Sequence, residues 1–216
     1  MSNFSNFNSL MKQSWSGVAV LSIFYIVIVV ALSLMSPWFF SFNNAMNIGI
    51  NMSYIGLMAA AGTPLIIAGG LDLSVAAVAG LTGVLITIFF GWIDNVWLAV
   101  MLSVFVGAFI GAFNGFLATV LKFNPLIATL GTMSIVTGFS LVLTGGLTKS
   151  MMLPEFNYIG VGRIFNVPIP LIIMLVVMFL LWILMSKTKF GRFLYASGNN
   201  PDASLLLGVP VVKVQF

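Results

Sequence analysis

No cysteine and no histidine occur among the 216 residues. Without cysteine there is no disulfide, no thiol nucleophile and no cysteine metal site. Without histidine the usual general base and the commonest metal ligand are missing. Charge is scarce as well, at 6% of residues, where soluble domains carry about 25%. Acidic residues number only four. Asp72 and Asp94 fall at opposite ends of one apolar run, so they cannot form a catalytic dyad. The net charge of +4 comes from scattered cations, which do not make the clustered basic face that nucleic acid requires. No catalytic residue and no metal site are therefore expected.

Apolar residues are plentiful, at 61% with a mean hydropathy of +1.17. A chain this apolar is an integral membrane protein, and its uncharged runs read as transmembrane helices. The expected fold is all-α with about six spans, near 17–35, 48–68, 75–92, 96–121, 126–143 and 168–185. Residues 1–16 are polar and read as a cytoplasmic tail or an interfacial helix. Residues 17–186 form the transmembrane domain, and residues 187–216 a cytoplasmic loop and tail. Ala31-Leu32-Ser33 weakly resembles a signal cleavage site, but the run before it is too long for a signal peptide's apolar segment. Pro64 predicts a kink or break in the second span.

Orientation follows from the cations. Six spans put both ends on one side with Lys12, Lys122, Lys187, Lys189, Arg192 and Lys213. Lys149 and Arg163 fall on the other side. Basic residues collect in cytoplasmic loops, so both termini are expected in the cytoplasm.

Four stretches stand out. In Gly69-Gly70-Leu71-Asp72-Leu73-Ser74, two glycines allow a sharp turn. Asp72 there cannot face lipid without cost; it is expected to cap the start of the third span and anchor a structural turn of Gly69, Gly70, Asp72 and Ser74. Gly107, Gly111 and Gly115 recur every four residues and so share one helix face, where another helix can approach closely. Asn51, Asn114, Thr129 and Thr132 place hydrogen-bonding groups in the spans and are candidates for a polar pathway. Each has a plainer reading in helix packing or backbone bonding. Finally, Asn200 suits an N-cap, Pro201 the first helical position and Asp202 the positive helix end, with Ala203 onward helical and Gly208 closing it. Physics alone leaves this short helix either docking a cytoplasmic partner or lying on the membrane.

Several of these residues carry a resemblance. Gly69 to Ser74 resembles the Gly-Gly-(Ile/Leu)-Asp-Leu-Ser motif of the ribose/xylose-type permeases of bacterial ABC importers. Asn114-Gly115, then Pro125-Leu126-Ile127-Ala128-Thr129-Leu130-Gly131-Thr132-Met133, resembles that family's central block, and Thr144-Gly145-Gly146 the turn after it. Gly191-Arg192 and Tyr195-Ala196-Ser197-Gly198-Asn199-Asn200-Pro201-Asp202-Ala203 resemble its cytoplasmic loop. Ser204 stands where the family often has Ala. The resemblance implies the permease subunit of an ATP-driven importer of a ribose-, xylose- or galactose-like sugar in the bacterial plasma (inner) membrane. Its partners would be a cytoplasmic ABC ATPase, a periplasmic or extracellular substrate-binding protein, and a second permease copy or paralogue. Gly198 to Ala203 would then belong to the coupling helix seated on the ATPase, which settles the docking question. No cofactor would be bound by this chain, since ATP and Mg would sit on the partner, and the chain has no GxxxxGK(S/T) phosphate loop of its own. Family members continue through further spans, so the chain is expected to be a fragment, a truncated product or half of a split permease. The alternatives are a secondary transporter using Asp72 and a non-transporting membrane protein.

Overall fold

The computed structural model describes residues 3–150 and 153–216. Helices α1 (Asn3–Met35), α2 (Phe42–Ile67), α3 (Val75–Ile93), α4 (Val96–Thr119) and α5 (Pro125–Thr144) come first. They are followed by α6 (Pro154–Val161), strands β1 (Arg163–Ile164) and β2 (Val167–Pro168), α7 (Ile169–Lys187), α8 (Lys189–Asn199), α9 (Pro201–Leu206) and α10 (Val211–Gln215). Six helices are long and apolar enough to cross a membrane: α2, α3, α4, α5, α7 and the Gly17–Met35 part of α1. The chain is a helical, multi-pass membrane protein.

It divides into two units, Met1–Gly49 and Ile50–Phe216. The N-terminal tail is continuous with the first span. From Asn3 it is helical and runs straight into the first span, while residues 1 and 2 lie outside the described residues. In the same unit, Ser36 to Ser41 turn the chain into α2, and the Asn44 amide of its first turn donates to the Phe39 carbonyl at 2.8 Å.

In the second unit α3 packs along α4 and α5. Leu81 and Leu85 of α3 and Val136 of α5 are buried there, with Val106 and Ile110 of α4 against them. The turn between α3 and α4 is tight, with only Asp94 and Asn95 between the helices. Asp94 takes a left-handed φ of 52°, and the Asn95 side chain caps α4 by accepting from the Leu98 N–H at 3.1 Å. Asn124 caps α5 the same way, with Pro125 at the first helical position.

Two expectations need correction. The break at Pro64 does not occur, because α2 runs on to Ile67. Pro64 offers no N–H to the Ala60 carbonyl, but only one turn remains beyond it, so little hydrogen bonding is lost. Residues 187–216 are not a loop holding one short helix. Three helices fill them, α8, α9 and α10. Thr188 joins α7 to α8 with one hydroxyl, which donates to the Leu184 carbonyl at 2.6 Å and accepts from the Gly191 N–H at 3.2 Å.

The segment before α7 is also ordered. Arg163 pairs with Pro168 and Ile164 with Val167 in an antiparallel hairpin. Its two-residue turn, Phe165-Asn166, has φ of 49° and 65°, the left-handed pair of a type I′ turn.

Candidate functional site

The turn from α2 to α3 is built from its glycines. Gly69 has φ of 83°, its N–H donates to the Ile66 carbonyl at 3.0 Å, and the Gly70 N–H donates to the Leu65 carbonyl at 2.9 Å. Those two bonds around a left-handed glycine are a Schellman helix end. A side chain on Gly70 would also press into Leu65. The chain is thus turned back within two residues, which delivers Asp72 and Ser74 to the start of α3.

One Asp72 carboxylate oxygen accepts twice from Ser74, from its N–H at 2.7 Å and from its hydroxyl at 2.6 Å. Ser74 stands at the N-cap of α3, but its side chain makes no cap bond; its proton goes to Asp72. Its oxygen still has a lone pair, and this accepts from the Asn114 amide of α4 at 3.0 Å. The Asn114 carbonyl oxygen accepts from the Thr132 hydroxyl of α5 at 2.6 Å. Thr132, Asn114, Ser74 and Asp72 therefore form one relay across three helices. A carboxylate only accepts, so every proton in the relay points toward Asp72. Ser74 and Asn114 are 1% and 4% exposed. Buried polar groups paired in this way fix one arrangement of helices and are costly to break.

A cavity of about 170 Å³ adjoins the relay. Its lining includes Gly69, Asp72, Gly111, Asn114, Thr129 and Gln215. The structure thus gathers three of the four pathway candidates. Asn114 and Thr132 bond each other, and Asn114 and Thr129 line the cavity. Asn51 lies exposed on α2, away from that cavity. Thr129 spends its proton on its own helix, donating to the Pro125 carbonyl at 2.8 Å. The glycine face of α4 meets a different surrounding at each glycine. Gly107 approaches Thr82 and Val78 of α3, Gly111 has open space and lines the cavity, and Gly115 lies against Phe216.

The α8–α10 platform sits at the same end of the unit. A side chain on Gly198 would collide with the Ile67 carbonyl at the end of α2. The Gln215 amide donates to the neighbouring Ala68 carbonyl at 3.2 Å. Ala68, Met185 and Leu194 are buried together, with Ile67, Leu181 and Val214 packed around them. The platform and the Asp72 turn therefore share one small core. Beyond Asn199, the Asn200 side chain caps α9 by accepting from the Ala203 N–H at 3.0 Å. Pro201 and Asp202 occupy its first turn. Gly208, with φ of 81°, ends it, and the Val209 N–H reaches back to the Ser204 carbonyl. Leu205, Leu206 and Leu207 are left exposed.

Sequence reasoning missed Gln215 and α8. The buried residues of α8, Gly191, Leu194 and Ser197, recur every three positions. That spacing was a usable signal, hidden by the small size of two of the three residues.

The family described as "Branched-chain amino acid transport system / permease component" matches residues 44–216. The chain is 41% identical over 198 residues to the ribose import permease protein RbsC of Bacillus subtilis, covering 90% of this chain and 61% of that protein. It is 35% identical over 202 residues to the L-arabinose transport system permease protein AraH of Escherichia coli, covering 94% and 61%. It is 30% identical over 185 residues to the xylose/arabinose import permease protein XylH of Sulfolobus acidocaldarius, covering 82% and 51%. The chain thus spans about three fifths of the length of the first two relatives. No solved structure matches it. With its six apolar spans and this match over α2 to α10, the chain is a multi-pass inner-membrane protein and belongs to the branched-chain amino acid transport system / permease component family.

Proposed function

We propose that this chain is the membrane-spanning permease subunit of an ATP-driven monosaccharide importer. It forms part of the solute path and couples to a separate ABC ATPase. The reading is carried by the α8–α9 platform. A short helix capped by Asn200 presents exposed leucines, and the glycine just before it rests on the end of α2. An element so placed can receive a push from a docked protein and pass it to a transmembrane helix. The names of the relatives, ribose, arabinose and xylose permeases, support a pentose or similar sugar as the solute.

In this reading both termini face the cytoplasm, with Lys122, Lys187, Lys189, Arg192 and Lys213 toward the ATPase. Gly198, Asn199, Asn200, Pro201, Asp202 and Ala203 form the coupling contact. Asp72, Ser74, Asn114 and Thr132 hold α3, α4 and α5 in register, while Thr129, which lines the cavity, and Asn51 are assigned to the solute path. A substrate-binding protein delivers the sugar from outside, and a second permease copy or paralogue completes the path. The chain does no chemistry and binds no cofactor, since ATP and Mg belong to the ATPase.

The test is uptake of labelled ribose, arabinose and xylose by cells or proteoliposomes carrying the chain with its ATPase and binding protein. Uptake should stop when the ATPase is inactivated and should survive an uncoupler. Uptake that collapses with the uncoupler but survives loss of the ATPase would identify a secondary transporter instead.

A further inference from the structure

The hairpin between α6 and α7 has no part in the transport reading, yet it carries an unusual residue. Both central positions of a type I′ turn need positive φ, which suits Asn, Asp and Gly. Asn166 conforms. Phe165 does not, and it holds φ of 49° with its ring 96% exposed. The residue is disfavoured twice, by its backbone conformation and, in water, by the apolar surface of its ring.

The neighbourhood points to what covers it. Ile169, the first residue of the α7 span, lies four positions beyond Phe165, and its N–H donates to the Gly162 carbonyl at 2.9 Å. The hairpin is thereby tied to the mouth of the span. It is braced further by the Tyr158 hydroxyl on the Arg163 carbonyl and by the Tyr54 hydroxyl of α2 on the Gly160 carbonyl. Tyr158, Val161 and Ile164 are exposed beside it. At the same end of the unit, the turn from α3 to α4 exposes Trp92 and Trp97. Exposed aromatic residues bordering apolar spans mark the level of the lipid headgroups. The apolar edge of the hairpin is continuous in chain and position with that level.

We propose that Phe165, with Val161 and Ile164, is an interfacial anchor. It inserts into the headgroup–acyl boundary of the leaflet opposite the α8–α10 platform and fixes the depth of α7. Lipid removes the exposure cost of the ring and so allows it to occupy a backbone position meant for a smaller residue.

Because the chain has no cysteine, a single introduced one is the sole labelling site. Phe165→Cys, Val161→Cys and, in the exposed loop, Lys149→Cys are each labelled with a nitroxide in the full chain in lipid nanodiscs. Collision with oxygen, which partitions into lipid, is compared with collision with a water-soluble nickel chelate. At 165 and 161 the oxygen-to-nickel ratio should be several-fold higher than at 149. Val161→Cys leaves the turn backbone untouched, so it reports even if the change at 165 disturbs the hairpin. A ratio at 161 or 165 equal to that at 149 would place the hairpin in water and overturn the proposal. A label shielded from both reagents would do so as well, since it would mean that protein covers the tip.

Discussion

The Asn114 amide donates to the Ser74 hydroxyl at 3.0 Å across a separation of 40 residues. This bond ties the turn after α2 to α4, and Thr132 extends the tie to α5. Asn114→Ala should lower stability by about 1–3 kcal/mol, as expected when buried partners are left unmade. Thr132→Val should cost less, because it removes only the far end of the relay. Equilibrium unfolding in micelles would measure both. In a double-mutant cycle, Ser74→Ala and Asn114→Ala should couple by at least ~0.5 kcal/mol. Simple additivity would mean that the bond carries no energy.

Asp72 can be probed by shape and by charge separately. Asp72→Asn keeps an oxygen able to accept the Ser74 N–H, so fold and assembly should survive. Asp72→Ala leaves that N–H without its acceptor and should cost about 1–3 kcal/mol. Thermal melts give the order, and sugar uptake gives the role. If Asp72→Asn melts normally yet no longer transports or binds sugar, the carboxylate belongs to the solute path rather than to the turn.

Gly198 has no room for a methyl group against the Ile67 carbonyl. Gly198→Ala should therefore cost about 1–3 kcal/mol by overpacking. In the assembled transporter it should impair uptake more than ATPase binding, because the contact being forced apart is the one between platform and span. Gly131→Ala is the control. Open space surrounds that helical position, and the change should be neutral or stabilising by up to ~1 kcal/mol.

Asn200 caps α9 through a single bond. Asn200→Ala should destabilise that helix by about 1 kcal/mol, whereas Asn200→Asp should preserve it. Pull-down of the ATPase should weaken with Ala and persist with Asp. Equal binding by both would separate α9 from docking.

What was legible in the sequence was local. Gly69-Gly70 announced a turn, and Asn200-Pro201-Asp202 a helix start, because the groups that satisfy each other lie within a few residues. The relay was only half legible. Asn114 and Thr132 stood out as polar residues in spans, but the partner that commits them is Ser74, brought near by packing rather than by spacing. The hairpin escaped notice because Phe165-Asn166 lacks the usual turn composition. Pro64 misled in the opposite direction, since its lost bond matters little one turn from a helix end.

The 11-residue α8 is about 16 Å long at the usual helical rise. Held only by the Thr188 hydroxyl, it would be a lever, free to swing and dissipate a push. But its far end is seated on the Ile67 backbone at Gly198, which makes it a strut. In the proposed importer a strut shortens the list of possible movements to one: a force arriving on α9 would be delivered to the end of α2, beside the Gly69-Gly70 turn.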